Sequence, residues 1–273
     1  MIFSAVRTII IFSFICIFSC STVRSPNAQT IYSAVVKDSF ELYVDLPVNY
    51  TKGNIYSVVF YMDANLKSGK ELRRQIKLDS NKAKLSHVIF VGIGHIGDYH
   101  VKRRRDLIPF VVNKSDTLLS DDKNYGQAEH FYRFISEELI PLINQRYPNN
   151  GRYSYIGHSF GGLFGFYCLM KPEPLFKNII ALSPSLWVNN NNSFQHEDLF
   201  AAAGYQMKDV TLYHACGTAE WANKVLYSSR DMRDVLNKRK YPGLHYIYKE
   251  HPGKNHNGVV PVSLEYVLSN IEL

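Results

Sequence analysis

The sequence predicts a three-layer α/β fold built on a mostly parallel central sheet. Three observations carry this. Apolar runs of strand length alternate with stretches of helical character along the chain. Tyr56–Met62 and residues 87–93 are almost continuously apolar, as expected of parallel strands covered on both faces. At Gly157-His158-Ser159-Phe160-Gly161-Gly162 an apolar strand passes directly into a helix-like run from Leu163 to Met170. The chain has 273 residues. Without a leader roughly 250 remain, enough for one large domain with a sizeable core. A hydrophobic content of 46% against 20% charged residues fits a globular protein rather than a disordered one. The net charge of +7 is mild, and no long basic block interleaved with aromatics suggests a nucleic-acid groove.

Residues 1–20 read as an export signal. Arg7 supplies the positive start, and the apolar stretch from Thr8 to Phe18 is too short for a comfortable membrane span. It ends in Ile17-Phe18-Ser19-Cys20-Ser21. A small residue before a cysteine is the pattern of a bacterial lipoprotein, with Cys20 as the lipidated first residue of the mature chain. Phe18 departs from that pattern, since a small residue is usual there. The expectation is a cell-envelope lipoprotein, periplasmic or outer-membrane associated and held through Cys20. Plain secretion with a cut near Ala28, or a retained anchor helix, are the alternatives. Residues 21–30 read as a polar tether and 31–273 as one domain. Within it Cys168 and Cys216 lie on apolar stretches, which predicts buried small hydrophobes rather than a disulfide framework.

Residues 31–36 and 40–46 alternate around the turn Lys37-Asp38-Ser39, which predicts an antiparallel hairpin. After the central strand at Tyr56–Met62 comes Asp63-Ala64-Asn65, then helical character over 68–85. A second buried strand follows at 87–93. Residues 94–124 read as a long connection, and structureless loops of that length are usually functional. Residues 127–147 form an amphipathic pattern with Phe131, Phe134, Ile135, Leu139, Leu142 and Ile143 inward, kinked by Pro141. Beyond the Ser159 turn, strands are expected at 178–182, 210–216 and 244–248. The run 189–192 is a solvated loop. Helices are expected at 196–207, 225–238 and 259–270.

Strand, Gly-x-Ser-x-Gly, helix is the context of a nucleophile elbow. The turn is so tight that the serine sits in a strained conformation, and glycines at 157 and 161 let two backbones approach. Ser159 then stands at the carboxyl end of a strand and the positive end of a helix. A serine hydroxyl needs a base within hydrogen-bond reach, and the base needs an orienting acid. His214 and His245 lie inside expected strands, His196 precedes a helix, and His251 precedes a proline. His256 lies in a Gly/Asn-rich loop after the last strand and before the last helix, where chain order places the base. The acid belongs after the next-to-last strand, which is where Glu220 stands. Asp231 and Asp234 are the competing carboxylates, and a Ser–His dyad is the remaining possibility. Oxyanion donors are expected to be the amide of Phe160 and one from Ala64 or Asn65.

Several separated motifs carry a family resemblance. They are Tyr61-Met62-Asp63-Ala64-Asn65, Val91-Gly92-Ile93-Gly94, Arg104-Arg105-Asp106-Leu107-Ile108-Pro109, Glu137-Glu138-Leu139-Ile140-Pro141, Gly157-His158-Ser159-Phe160-Gly161-Gly162, Ser183-Pro184-Ser185-Leu186-Trp187, and the His256 loop with Val259-Val260-Pro261. In that order they resemble the putative-esterase branch of α/β-hydrolases, which includes esterase D, ferric-siderophore esterases and family-one carbohydrate esterases. The likeness is strongest to the siderophore-esterase subgroup. Ala64 and Ile108 stand where glycine and threonine are commoner in the family. The resemblance implies an α/β-hydrolase fold and ester hydrolysis through an acyl-enzyme with no cofactor. The expected partner is a small-molecule ester, with no protein partner. A catecholate trilactone or a carbohydrate acyl ester is the more specific alternative. A binding lipoprotein on the same fold is the non-enzymatic one, and a peptidase or acyltransferase is the other enzymatic one.

The basic run Lys102, Arg103, Arg104 and Arg105 suggests two roles. Arg103 and Arg104 would meet an anionic substrate, or one arginine would pair with Asp106 and the rest would be solvated. Trp187 would wall the acyl pocket or simply pack. His95, Asp98 and His100 lack a fourth ligand and a helical spacing, so no metal site is expected.

Overall fold

The computed structural model describes residues 28–110 and 125–273. The leader, Cys20, most of the tether and residues 111–124 of the long connection lie outside the described residues. The first strand takes in the last three residues of the expected tether. In chain order the elements are β1 (Ala28–Ser33), β2 (Asp38–Asp45), β3 (Tyr56–Met62), α1 (Lys67–Ile76), α2 (Asp79–Lys82), β4 (Val88–His95) and α3 (Tyr99–Leu107). Then come α4 (Ala128–Arg133), a π-helical segment (Phe134–Leu139), α5 (Ile140–Arg146), β5 (Asn149–His158) and α6 (Phe160–Leu169). The rest are β6 (Asn178–Leu182), α7 (Val188–Ala202), β7 (Val210–Gly217), α8 (Val225–Arg239), β8 (Leu244–His251) and α9 (Val259–Asn270).

The eight strands form one sheet in the order β1-β2-β4-β3-β5-β6-β7-β8. The hairpin β1–β2 is antiparallel, as expected, and β2 joins β4 antiparallel; the pairs from β4 through β8 are all parallel. This is a three-layer α/β-hydrolase fold. Alternate residues of each strand feed two separate apolar layers. Val58, Phe60, Tyr155, Ile179 and Leu212 pack with α4, α6 and α8 through Phe131, Phe164 and Met232. Val59, Tyr61, Ile156, Ile180 and Tyr213 pack with α1 and α9 through Leu72, Leu264 and Val267. Truncating a fully buried ring such as Phe164 to alanine costs about 3–5 kcal/mol, from lost transfer energy and the cavity left behind.

Three expectations are corrected. The connection after β4 is not structureless, because α3 occupies Tyr99–Leu107, and Asp98 caps it by accepting from the His100 and Val101 amides. The span 68–85 is helical, as expected, and divides into α1 and α2. The helix over 127–147 is broken not by a kink but by the π-helical segment, in which the Ile140 amide reaches Ile135 five residues back. That widened turn lies immediately before Pro141, which then sits in the first turn of α5. The asparagine run is not a plain loop. Asn189, Asn190 and Asn191 have φ of 53°, 51° and 61°, a left-handed turn at the start of α7, and asparagine tolerates that region better than most residues. Cys168 and Cys216 are free and buried. Among the described residues no helix is long and apolar enough to cross a membrane.

Candidate active site

The site collects at the carboxyl ends of the parallel strands, the place where such sheets bind ligands. Between β5 and α6, Ser159 has φ 60° and ψ −116°, a conformation that costs a non-glycine residue about 1–3 kcal/mol and persists only where its surroundings enforce it. A Cβ on Gly157 would lie 2.3 Å from the Gly161 carbonyl, so only glycine lets strand and helix close around the serine. The Ser159 amide donates to the Leu182 carbonyl at 2.9 Å, which anchors the turn to β6. Its Oγ lies 3.3 Å from Ser185 Oγ, and either hydroxyl can donate.

Glu220 follows β7 and His256 follows β8. The His256 Nδ1–H donates to Glu220 Oε1 at 2.6 Å. The other carboxylate oxygen accepts the Gly217 amide at 2.6 Å and the Ser183 hydroxyl at 2.8 Å. Burial raises the pKa of Glu220, but hydrogen bonds from His256, Gly217 and Ser183 outweigh it and hold the carboxyl below its ordinary value. Glu220 is therefore an anion at neutral pH. It fixes the tautomer of His256 with the proton on Nδ1 and leaves Nε2 as the basic nitrogen. The base loop is laced to the acid loop. The Ala219 amide donates to Lys254 O at 3.1 Å, and the Gly253 amide to Thr218 Oγ1 at 2.8 Å. Of the competing carboxylates, Asp234 pairs with Arg233 on the surface of α8 and Asp231 is exposed there.

At the end of β3, Asp63 has φ 59° and is buried. Arg103 from α3 grips it at both oxygens, Nε–Oδ1 2.6 Å and Nη2–Oδ2 2.8 Å, and its guanidinium lies over the Phe160 ring at 5.4 Å. One arginine thus braces the turn after β3 and the residue after Ser159. Two expectations change here. The Ala64 amide donates to Ile93 O at 3.1 Å and is not available to an oxyanion. Among the described residues the amides of Asn65 and Phe160 have no acceptor. Arg103 is an internal brace rather than a free substrate contact, with only 13% of its side chain exposed.

The rest of the basic run divides similarly. Lys102 bonds Asp38; Arg105 bonds Asp38 and Asp106, as expected for one arginine of the run. Arg104 is exposed, with no ion pair among the described residues. His95 Nε2 hydrogen-bonds Asp106 Oδ2 at 3.1 Å in the core, and Asp98 caps α3, so both are occupied structurally. Trp187 stands exposed at the N-cap of α7, just past Ser185 and Leu186. Sequence reasoning missed Ser183 and Ser185 as parts of the site, although the motif Ser183-Pro184-Ser185 was visible.

A strained serine between strand and helix, beside a carboxylate–imidazole pair at the strand ends, defines the class as an α/β-hydrolase. The chain belongs to the putative-esterase family, whose model matches residues 33–258, and it is an esterase. It is similar to the ferri-bacillibactin esterase BesA of Bacillus subtilis, 25% identical over 262 residues that cover 90% of this chain and 89% of that protein. A siderophore enterobactin esterase of Emericella nidulans is 26% identical over 171 residues, 56% of this chain and 55% of the relative. Among solved structures, the BES protein from Bacillus cereus superposes with a TM-score of 0.77 at 24% identity, covering 99% of both chains. An IroE-like serine hydrolase from Shewanella oneidensis gives 0.74 at 24% identity, over 88% of this chain and 78% of that one. These two likenesses bear on the fold.

Proposed function

We propose that the protein hydrolyses carboxylic esters through an acyl-enzyme on Ser159, with His256 as general base and acid and Glu220 as its orienting carboxylate. The observation that carries this is the 2.6 Å bond between His256 Nδ1 and Glu220, set beside a serine held in a strained elbow. The Ser159 hydroxyl leaves Ser185 and turns to His256 Nε2 as substrate binds. Catalytic hydrogen bonds commonly tighten only in the substrate complex. Ser159 Oγ attacks the ester carbonyl and its proton passes to Nε2. The Asn65 and Phe160 amides receive the developing oxyanion, stabilisation that is commonly among the largest contributions to acyl transfer. The C–O bond breaks and the alcohol departs with the proton from His256. Water then attacks the acyl-enzyme, again giving a proton to His256, and the carboxylic acid leaves as Ser159 recovers its own.

The substrate class follows from the relatives: we infer a siderophore ester. Turnover on p-nitrophenyl esters, acetylated sugars, feruloyl esters and a catecholate trilactone tests both levels. Preference for the trilactone by kcat/KM is the expected result. Turnover of simple esters with none of the trilactone overturns the siderophore assignment and leaves the esterase mechanism standing. We further infer, from the leader and Cys20 alone, a cell-envelope lipoprotein acylated at Cys20. Cys20→Ala is then expected to leave the membrane fraction or to accumulate unlipidated.

A further inference from the structure

We propose that His158 is a positioning residue, whose Nε2–H bond to the main-chain carbonyl of His256 sets the general base over the nucleophile. The inference rests on the triad reading above.

His158 is the last residue of β5 and the chain neighbour of Ser159. Its Nε2 lies 2.8 Å from the His256 carbonyl oxygen, and the two imidazole rings are 4.4 Å apart between centroids. A carbonyl can only accept, so Nε2 carries the proton and the tautomer of His158 is fixed. Desolvation and the neighbouring His256 push its pKa down to about 4. At working pH it is therefore a neutral donor and adds no charge beside the imidazolium that forms on His256 during turnover.

The place of this bond in the network gives it weight. The base loop is joined to the acid loop through Ala219–Lys254 and Thr218–Gly253, and it is closed on itself through Gly258–Asn255. None of these reaches the elbow. Among the described residues, the His158–His256 bond is the one hydrogen bond between residues 252–258 and the turn that carries Ser159. Glu220 fixes the ring of His256 at Nδ1, and His158 fixes its backbone. Together they determine how far Nε2 stands from the serine. A packing role alone would require a ring of this size and not a donor at this atom.

The test separates donor from ring. His158→Phe keeps the ring and removes the donor. His158→Gln keeps an amide N–H near the position of Nε2. We expect His158→Phe to lower kcat by about 10²-fold, the scale of a displacement near 1 Å at a reacting group, with KM little changed. His158→Gln should recover most of the loss. The downfield NMR signal of the His256 Nδ1 proton should persist in the glutamine variant and broaden in the phenylalanine variant. Should His158→Phe not fold, His158→Asn gives the same test, because its amide is too short to reach the carbonyl. Wild-type kcat in the donorless variant overturns the proposal, and so does equal loss in the glutamine and phenylalanine variants. Fluorophosphonate labelling of the wild type tells the two levels apart. An unlabelled Ser159 in the wild type sinks the triad reading itself. A labelled wild type with a donorless variant labelled at the same rate sinks only the positioning role.

Discussion

Glu220 and His256 meet before any substrate is present, whereas Ser159 Oγ still rests against Ser185. The acid–base arm is built from side-chain hydrogen bonds. Glu220 accepts from His256, Gly217 and Ser183, and the His256 loop is laced to the Glu220 loop. The nucleophile and oxyanion arm is built from backbone instead. Ser159, Asp63 and Ser183 have φ of 60°, 59° and 44° at the ends of three neighbouring strands. Such strained residues cluster where a site must be preorganised. In the proposed mechanism the proton-handling groups are thus fixed in advance, and the reacting hydroxyl keeps one rotation for the moment of substrate binding.

The comparison can be tested arm by arm. The largest effect is expected from Ser159→Ala and His256→Ala. Each should lower kcat on the order of 10³-fold or more in an ester assay, and the double variant little further, because the two act as a unit. Additive losses would mean that they serve separate steps. Glu220→Ala should cost less than either, since the acid orients and stabilises but does not react. If Glu220→Ala were harmless and Asp231→Ala or Asp234→Ala crippling, the acid assignment would move.

On the backbone arm, Arg103→Met removes the brace between Asp63 and Phe160. It should lower kcat by about 10²-fold by loosening both oxyanion donors, and reduce Tm. Arg103→Lys should restore little, because a point charge cannot grip both carboxylate oxygens. Near-native kcat with a raised KM for anionic esters only would make Arg103 a substrate contact after all. Ser185→Ala should change kcat by less than about tenfold, as its hydroxyl only rests the nucleophile. A loss approaching that of Ser159→Ala would place Ser185 in the chemistry.

The smallest expected effect is on stability against pH. The pKa of Glu220 is lower in the fold than in the unfolded chain. Its contribution is therefore fully present above the unfolded carboxylate pKa, about 4.3, and is lost as pH falls through the folded value. Glu220→Gln should flatten the acid limb of a denaturation-midpoint profile relative to wild type. An unchanged limb would mean that other carboxylates control acid unfolding.

The two arms also differ in how far they could be read beforehand. The elbow announces itself locally, because Gly157, Ser159 and Gly161 stand within five residues of strand-to-helix transition. His256 and Glu220 follow from their order after the last two strands. Of the carboxylates weighed after Ser159, Glu220 is the one the fold brings to His256. The brace was not legible. Arg103 meets Asp63 across 40 residues, and Lys102 and Arg105 meet Asp38 across 64 and 67. A short basic run carries no local sign of distant acids, so its residues read either as contacts for an anionic substrate or as one pair with Asp106 and solvated neighbours. The same holds for backbone strain. Asp63 and Ser183 adopt positive φ without a glycine to mark it. Only the carbonyl of Ile93, placed by β4, takes the Ala64 amide and leaves that of Asn65 free.

The most direct test of the central claim is to find which side chain forms the covalent intermediate. Wild-type protein treated with a fluorophosphonate should gain one adduct, and peptide mass spectrometry should place it on Ser159. Labelling should be abolished in Ser159→Ala and slowed sharply in His256→Ala. An adduct on Ser185 or any other residue, or full labelling of Ser159→Ala, would contradict the account.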